Sequence, residues 1–325
     1  MTDTDVDILV LREGTEGLSM AAYADKLRER LPDQSVVHAR TPQEEREYIS
    51  TARIVTGNTI DEGLLERADR LELFACTFAG TDHLPGDRLR DRGVTVTNAS
   101  GIHAPGIAEQ ALAQMLVFAR GLHEAWRRQK NGEWRHFGPG EFTDSTVTIV
   151  GLGTIGQALA QRLQGMEVDS IGVRYTPEKG GPTDEVVGFD PAAVHDALAR
   201  SDYVVLACPL TETTRSLIDR AALATMKPDA VLVNMARGGV VDTAALVDAL
   251  KTEKIRGAAL DVTEPEPLPE DHPLWTLENC LITPHIGGHT PKHWDRLADI
   301  VAENVDWLAA GETLTNVAFA PDDAT

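Results

Sequence analysis

The residues best placed to do chemistry begin in the stretch STVTIVGLGTIG, residues 145–156. The β-branched run Thr146-Val147-Thr148-Ile149-Val150 suits a short buried strand, and the QALAQRLQGM that follows suits a helix. Between them, Gly151-Leu152-Gly153-Thr154-Ile155-Gly156 is a G-x-G-x-x-G in the required strand–helix context. Gly151 serves the tight turn, Gly153 lets backbone approach a pyrophosphate, and Gly156 permits close helix packing. The helix N-terminus offers N–H donors and a positive dipole end to phosphates. A bare pattern of this kind also fits an ordinary glycine turn. The strand before it and the helix after it make dinucleotide binding the stronger reading.

Which dinucleotide is decided at the end of the next strand, where an acid normally accepts the ribose 2′-OH. Here the run is Ser170-Ile171-Gly172-Val173-Arg174-Tyr175-Thr176, with Arg174 where the acid belongs. A guanidinium can hold a 2′-phosphate bidentately, whereas a carboxylate would repel it. Thr176 and Lys179 add a hydroxyl and a second positive charge. The expectation is NADPH, with NADH possible but less preferred; the alternative is a solvated Arg174 and no preference.

A chain of 325 residues favours two domains over one. Strand-like runs at 7–11, 35–39, 53–55, 71–78 and 94–97 alternate with helical segments at 17–31, 42–48 and 61–68. This alternation implies a parallel sheet covered on both faces, here without a phosphate loop. A long helix is expected at 104–122, opened by Pro105, and then an irregular stretch at 129–143 with Trp134, His136 and Phe137. That aromatic arm is read either as a subunit contact or as a satellite core cluster. A second alternation follows, with strands at 146–150, 170–175, 203–207, 230–235, 257–262 and 281–283. Its helices fall near 155–163, 192–200, 221–226 and 243–250. Thr290-Pro291 reads as N-cap and first turn of a last helix reaching about residue 309. The glycine loop lies mid-chain, so the nucleotide domain is inserted after the first domain. The last helix is expected to return to that first domain, leaving a cleft that substrate would close.

Acids outnumber bases 51 to 30, for a net charge of −21, and only seven of the bases are lysine. Such a surface repels nucleic acid and anionic membrane, and it reads as an adaptation to high salt. No apolar run approaches membrane-spanning length. Cys76, Cys208 and Cys280 stand alone in apolar runs without CxxC spacing, as buried thiols of a reducing cytoplasm do. The acidic start MTDTDVD lacks a signal-peptide pattern.

Later segments extend the argument. In order they are CPLTETTRSLI (208–218), VNMARGG (233–239), ALDVTEPEPLP (259–269), HPLW (272–275) and TPHIGG (283–288). With FAGTDHL (78–84) and PGIAEQALAQML (105–116), the chain resembles the NAD(P)-dependent D-2-hydroxyacid dehydrogenase family along nearly its whole length. The resemblance implies a Rossmann-type dinucleotide-binding domain, 101–286, inserted into a smaller flavodoxin-like α/β substrate domain formed by 1–100 and by a returning C-terminal segment, 287–325. It assigns Arg237, Glu266 and His285 as the catalytic group. The backbone N–H groups of Ala79 and Gly80, with Arg237, would bind the substrate. Around the cofactor it places Gly151, Gly153, Thr154, Ile155, Gly156, Arg174, Tyr175 and Thr176. Cys208, Pro209, Thr214, Met235, Ala236, Asp261, Gly287 and Gly288 complete that set, and Ile107 would pack on the nicotinamide ring.

The chemistry suits the assignment. A planar guanidinium can hold the carboxylate and ketone of a 2-oxo acid while polarising the ketone. An imidazolium at 285 can protonate the alkoxide that hydride addition leaves, and Glu266 would orient and favour it. His285, His289 and His293 are spaced four apart like metal ligands, but no cysteine or acid completes a zinc set. The resulting expectation is a cytoplasmic, homodimeric reductase of 2-oxo acids to D-2-hydroxy acids. Glu266 argues against the formate dehydrogenase branch, whose histidine has a glutamine-like partner. The chain ends soon after the last helix, so the regulatory domains of some phosphoglycerate dehydrogenases are expected to be absent. The rivals are a narrow glyoxylate/hydroxypyruvate reductase and a dinucleotide-sensing, corepressor-like binding protein.

Overall fold

The computed structural model describes residues 6–13 and 18–321. The expected helix start at Gly17 and most of the acidic MTDTDVD segment lie outside them. The chain forms two compact units, Met1–Ile102 with Thr290–Thr325, and His103–His289.

In the first unit the strands are β1 (Ile8–Val10), β2 (Val36–His38), β3 (Ile54–Gly57), β4 (Leu73–Cys76) and β5 (Thr95–Thr97). Helices α1 (Met20–Arg30), α2 (Pro42–Tyr48), α3 (Glu62–Leu65) and α4 (Gly86–Asp91) connect them. The parallel order β2-β1-β3-β4-β5 is that of a flavodoxin-like sheet. Successive side chains point to opposite faces, so one strand feeds two cores. Leu9, Val55 and Phe74 pack under α3 and α4 with Leu64 and Leu89. Ile8, Val10, Ile54 and Leu73 meet α1 through Tyr23, Ala24 and Leu27. Tyr23 is fully buried, stacks on Trp294 at 4.7 Å and bonds Thr56 Oγ1 at 3.1 Å; burial pushes its phenol well above the ordinary value.

The second unit opens with α5 (Ala104–Ala119) and α6 (Leu122–Lys130). The single helix expected over 104–122 therefore ends early, because Gly121 turns left-handed at φ +61. α6 has no buried residue and is held by Glu124 pairing with Arg127 and Arg128. In the stretch expected to be irregular, α6 runs on to Lys130, Trp134 is 96% exposed, and Phe137 lies under the Arg128 guanidinium. Then follow β6 (Thr146–Val150), α7 (Thr154–Leu163), β7 (Asp169–Val173), β8 (Glu185–Val187), α8 (Pro191–Arg200) and β9 (Tyr203–Leu206). α9 (Arg220–Thr225), β10 (Val231–Asn234), α10 (Thr243–Lys251), β11 (Gly257–Leu260) and β12 (Cys280–Ile282) complete the unit. All seven strands are parallel in the order β12-β11-β10-β9-β6-β7-β8, a doubly wound sheet whose order reverses between β6 and β9.

The chain then re-enters the first unit through α11 (His293–Ala310) and β13 (Val317–Phe319). The last helix starts two residues later than an N-cap at Thr290 predicts, with Lys292 in the N-cap position. Thr290 Oγ1 instead accepts from Lys292 N–H at 3.2 Å in the preceding turn. α11 lays Trp294, Leu297 and Val301 against the core shared with α1, and Arg30 reaches Asp299 at 2.5 Å and Asp295 at 3.4 Å. β13 pairs antiparallel with β5, burying Phe319 beneath Arg90. Cys208 lies two residues beyond β9 rather than within a strand, and Cys280 opens β12 with part of the residue exposed but its thiol buried. Among the described residues, no helix is long and apolar enough to cross a membrane.

Candidate active site

The glycine loop follows β6 at the reversal of strand order, where open α/β sheets hold their ligands. Gly151 has φ +105, and a Cβ added there would lie 2.7 Å from the Ala207 carbonyl oxygen and 2.8 Å from Cys208 Cα. On Gly156 a Cβ would stand 2.0 Å from the Gly151 oxygen. Gly153 has nothing within 4 Å and is the N-cap of α7, where no side chain takes the first free N–H groups. These residues fit a dinucleotide pyrophosphate: backbone donors are exposed, and the two tight glycines hold them in place.

Arg174 follows β7, and its Nη1 donates to the Gly180 carbonyl. That contact holds the guanidinium at the strand end, and its remaining donors meet no acceptor among the described residues. Tyr175 is 81% exposed, and Thr176 is exposed beside it. Cys208 is buried against the glycine loop, and burial pushes its thiol up to about 11. The Thr214 hydroxyl donates to the Pro209 carbonyl at 2.6 Å and accepts from Thr211 N–H at 2.8 Å. Thr214 therefore shapes its own loop rather than offering a free donor.

Arg237, Glu266 and His285 follow β10, β11 and β12, three neighbouring parallel strands, at their carboxyl ends. Gly238 abuts the backbone of Thr263 and Glu264, so the Arg237 turn lies against the loop that carries Glu266. Asn234 braces that turn, its amide accepting from Ala236 N–H and donating to the Arg237 carbonyl. Arg237 is exposed, with Nη1 on the Ala236 carbonyl at 2.7 Å. Glu266 Oε2 lies 2.8 Å from His285 Nδ1, while Oε1 accepts from Thr263 N–H at 2.9 Å. The carboxylate thus orients the ring from one side and is itself fixed from the other. Nε2 is left without a protein partner among the described residues.

Asp261, expected to meet the nicotinamide, is almost fully buried and accepts four hydrogen bonds. Oδ1 takes Thr283 Oγ1 at 2.6 Å, Gln110 Nε2 at 2.7 Å and Ile286 N–H at 3.1 Å; Oδ2 takes Gly287 N–H at 2.8 Å. Its carboxylate ties down the loop that carries His285. Met235 and Gly287 press together beside it, since a Cβ on Gly287 would lie 2.8 Å from Met235 Cε. Ala236 is buried one residue on, and Gly288 faces the His103 ring. Ile107 packs at the edge of the β6–β10 core. Gln110 was not singled out by its sequence context. Its one signal is that Gln110, with Glu109 and Gln114, interrupts an otherwise apolar helix.

In the first unit, Ala79 and Gly80 follow β4. Asn98 Nδ2 donates to the Ala79 carbonyl at 2.7 Å, whereas the Ala79 and Gly80 N–H groups donate to no protein acceptor among the described residues. Beside them is a pocket of about 560 Å³ lined by Asn58, Phe78, Gly80, Asp82 and His83. The His83 ring bonds the Asn58 carbonyl at 2.8 Å, and Asn58 Oδ1 is buried without a partner among the described residues. Among the described residues, no group of three or more His, Cys, Asp or Glu side chains is placed to hold a metal ion.

The profile described as D-isomer specific 2-hydroxyacid dehydrogenase, NAD binding domain, matches residues 112–287. The chain belongs to the D-isomer specific 2-hydroxyacid dehydrogenase family. It is 34% identical over 305 residues to a D-3-phosphoglycerate dehydrogenase of Methanocaldococcus jannaschii, across 92% of this chain and 58% of that protein. The chain therefore spans little more than half the length of that relative. Over 254 residues, 76% of each chain, it is 38% identical to a human glyoxylate reductase/hydroxypyruvate reductase. Among solved structures, a D-isomer specific 2-hydroxyacid dehydrogenase from Xanthobacter autotrophicus Py2, in complex with NADPH and MES, superposes with a TM-score of 0.77 at 29% identity. That match covers 97% of this chain and 98% of the other.

Proposed function

We propose that the protein reduces 2-oxo acids to D-2-hydroxy acids, using NADPH in preference to NADH. The observation that carries this reading is the 2.8 Å contact between Glu266 and His285, which follow the neighbouring strands β11 and β12, with Arg237 following β10 on the other side of β11. Gly151, Gly153 and Gly156, with the uncapped start of α7, would hold the cofactor's pyrophosphate, and Arg174 the 2′-phosphate. The cofactor supplies the hydride. Arg237 binds the substrate and polarises its ketone. His285, steadied by Glu266, donates a proton to the developing alkoxide oxygen and takes it back in the reverse direction. The likeness to the Xanthobacter structure, which holds NADPH, supports the cofactor assignment.

Two further readings have support of their own. The human relative named a glyoxylate reductase/hydroxypyruvate reductase favours a narrow preference for small 2-oxo acids. So does a pocket beside Gly80 with no lysine or arginine among its lining residues. α6 leaves Leu122 and Trp126 half-exposed, with Trp134 beyond them, a surface that suits a homodimer.

The test is initial rates with NADPH and NADH across glyoxylate, hydroxypyruvate, its 3-phosphate and longer 2-oxo acids, in high salt, with chiral analysis of the product. Turnover of 2-oxo acids that carry no charged group beyond the carboxylate is expected, with the D enantiomer formed wherever the product is chiral. Negligible NADPH oxidation across the panel would instead identify a dinucleotide-sensing binding protein. Light scattering after size exclusion reads the mass, with two copies expected.

A further inference from the structure

The loop carrying His285 is held in an unfavourable backbone conformation. His285 has φ +52, in the left-handed region that a residue with a Cβ seldom adopts. Such a conformation persists only where its surroundings over-determine it. The restraints here are unusually complete. His285 N–H donates to the carbonyls of Asp261 and Thr283, each at 2.9 Å. The next two N–H groups, of Ile286 and Gly287, go to the Asp261 carboxylate. That carboxylate is 4% exposed, and no lysine, arginine or histidine pairs with it among the described residues. Neutral donors alone hold it.

One of these donors comes from outside the loop. Gln110 on α5 places its amide nitrogen 2.7 Å from Asp261 Oδ1 and 2.9 Å from Thr283 Oγ1. Both N–H bonds of the amide are thereby used, and a reversed amide would set an oxygen against the carboxylate. Gly106, Gln110 and Gln114 are spaced four apart, so they lie on one face of α5. A Cβ on Gly106 would come 3.3 Å from the Gly287 carbonyl, and Gln114 Nε2 lies 3.4 Å from Thr283 Oγ1. This face of the helix is moulded to the catalytic loop.

We infer that Gln110 is a positioning residue for His285, acting through Asp261 and Thr283 to hold the left-handed turn that presents the imidazole. The inference rests on the catalytic role proposed above for His285. It adds a helix residue that touches none of the reacting atoms.

Two variants separate this role from simple packing. Gln110→Met keeps the length and removes both donors. Gln110→Glu keeps the shape and sets a carboxylate against Asp261. The other titratable groups nearby are Glu109, paired with Arg162 at 3.3 Å, His103 at the head of the helix, and the Glu266–His285 pair. Two carboxylates sharing one site hold a proton more tightly than either alone. The shared proton restores a donor as pH falls. The Glu variant, expressed as a ratio to wild type at each pH, is therefore expected to rise from roughly a tenth or less at pH 8 towards wild type near pH 5.5. The Met variant is expected to be low at every pH, with kcat reduced about tenfold or more and KM for NADPH changed less than about threefold.

Amide hydrogen exchange over residues 283–288 reads the same restraint without turnover. In Gln110→Met the protection of this segment should fall about tenfold while that of β10 and β11 is kept. Wild-type protection in the Met variant, or a pH-independent activity ratio in the Glu variant, overturns the inference. Loss of protection in a protein that turns over no 2-oxo acid would leave the positioning role standing and reject the proposed reaction.

Discussion

Gly238 stands so close to Thr263 that a Cβ added to it would lie 2.1 Å from both the carbonyl carbon and the oxygen of that residue. Only a glycine lets the turn after β10 nest against the loop after β11, and this contact brings Arg237 alongside the Glu266 segment. The obstruction is backbone, which cannot rotate away as a side chain does. Gly238→Ala should destabilise by at least the ~1–3 kcal/mol typical of overpacking and depress activity more than stability. A melting curve and kcat measured on one preparation check both; a wild-type Tm with wild-type kcat would contradict the fit.

His285→Gln should lower kcat for reduction by roughly 10²–10⁴-fold, the range of general acid assistance. Cofactor affinity should stay near wild type, because the side chain lies apart from the glycine loop. Glu266→Gln should fall between the variant and wild type, since the amide still orients the ring but carries no charge. Steady-state kinetics and NADPH fluorescence titration distinguish these effects.

Arg174→Ala should reduce kcat/KM for NADPH roughly 10- to 100-fold, as loss of a charge-assisted hydrogen-bonding group does, and leave NADH nearly unchanged. Parallel losses with both coenzymes would mean that Arg174 only braces Gly180.

Burial raises all three thiols, Cys208 to about 11 and Cys280 to about 12, with Cys76 moved in the same direction. Above pH ~9 an unfolded thiol loses its proton while the folded one retains it, so the native state binds more protons and stability falls as pH rises. Below that range these groups contribute nothing to the pH dependence. Denaturant unfolding between pH 7 and 10.5 should show the decline, and Cys208→Ala should flatten it.

The surplus of acids should make stability depend on salt. At 0.1 M the screening length is ~10 Å, shrinking to ~3 Å at 1 M, so repulsion among exposed carboxylates fades. Tm is expected to rise by several degrees from 0.1 to 2 M KCl. A flat or falling curve would separate the charge of −21 from any adaptation to brine.

The glycine loop was legible in the sequence because each of its requirements is local: a strand, three glycines and a helix in consecutive residues. The alternation of strands and helices disclosed both sheets for a similar reason. β8 and β13 carry little local signal: Val186-Val187 is flanked by Asp184-Glu185 and Gly188, and Val317-Ala318-Phe319 pairs with the distant β5. α6 has no buried residue, so it carries no core-facing stripe to detect. The resemblance implies cofactor contacts for Thr214 and Asp261; the hydrogen bonds that hold them, within the loop for Thr214 and to Thr283, Ile286, Gly287 and Gln110 for Asp261, have no signal in the sequence. Gln110 is the clearest case, since nothing next to it in the chain announces a carboxylate 151 residues away.

The return of the chain to its first sheet sets an order of assembly. β13 borders β5, yet the whole of His103–His289 is synthesised between them. On the ribosome, the nucleotide unit can close as soon as its own residues emerge. The older half must wait with one edge of β5, the one away from β4, unpaired and the surface under α11 exposed. A chain of residues 1–289, tethered to the ribosome by a linker long enough to clear the exit tunnel, should therefore protect the second-made unit from protease while the first-made one remains open to cleavage.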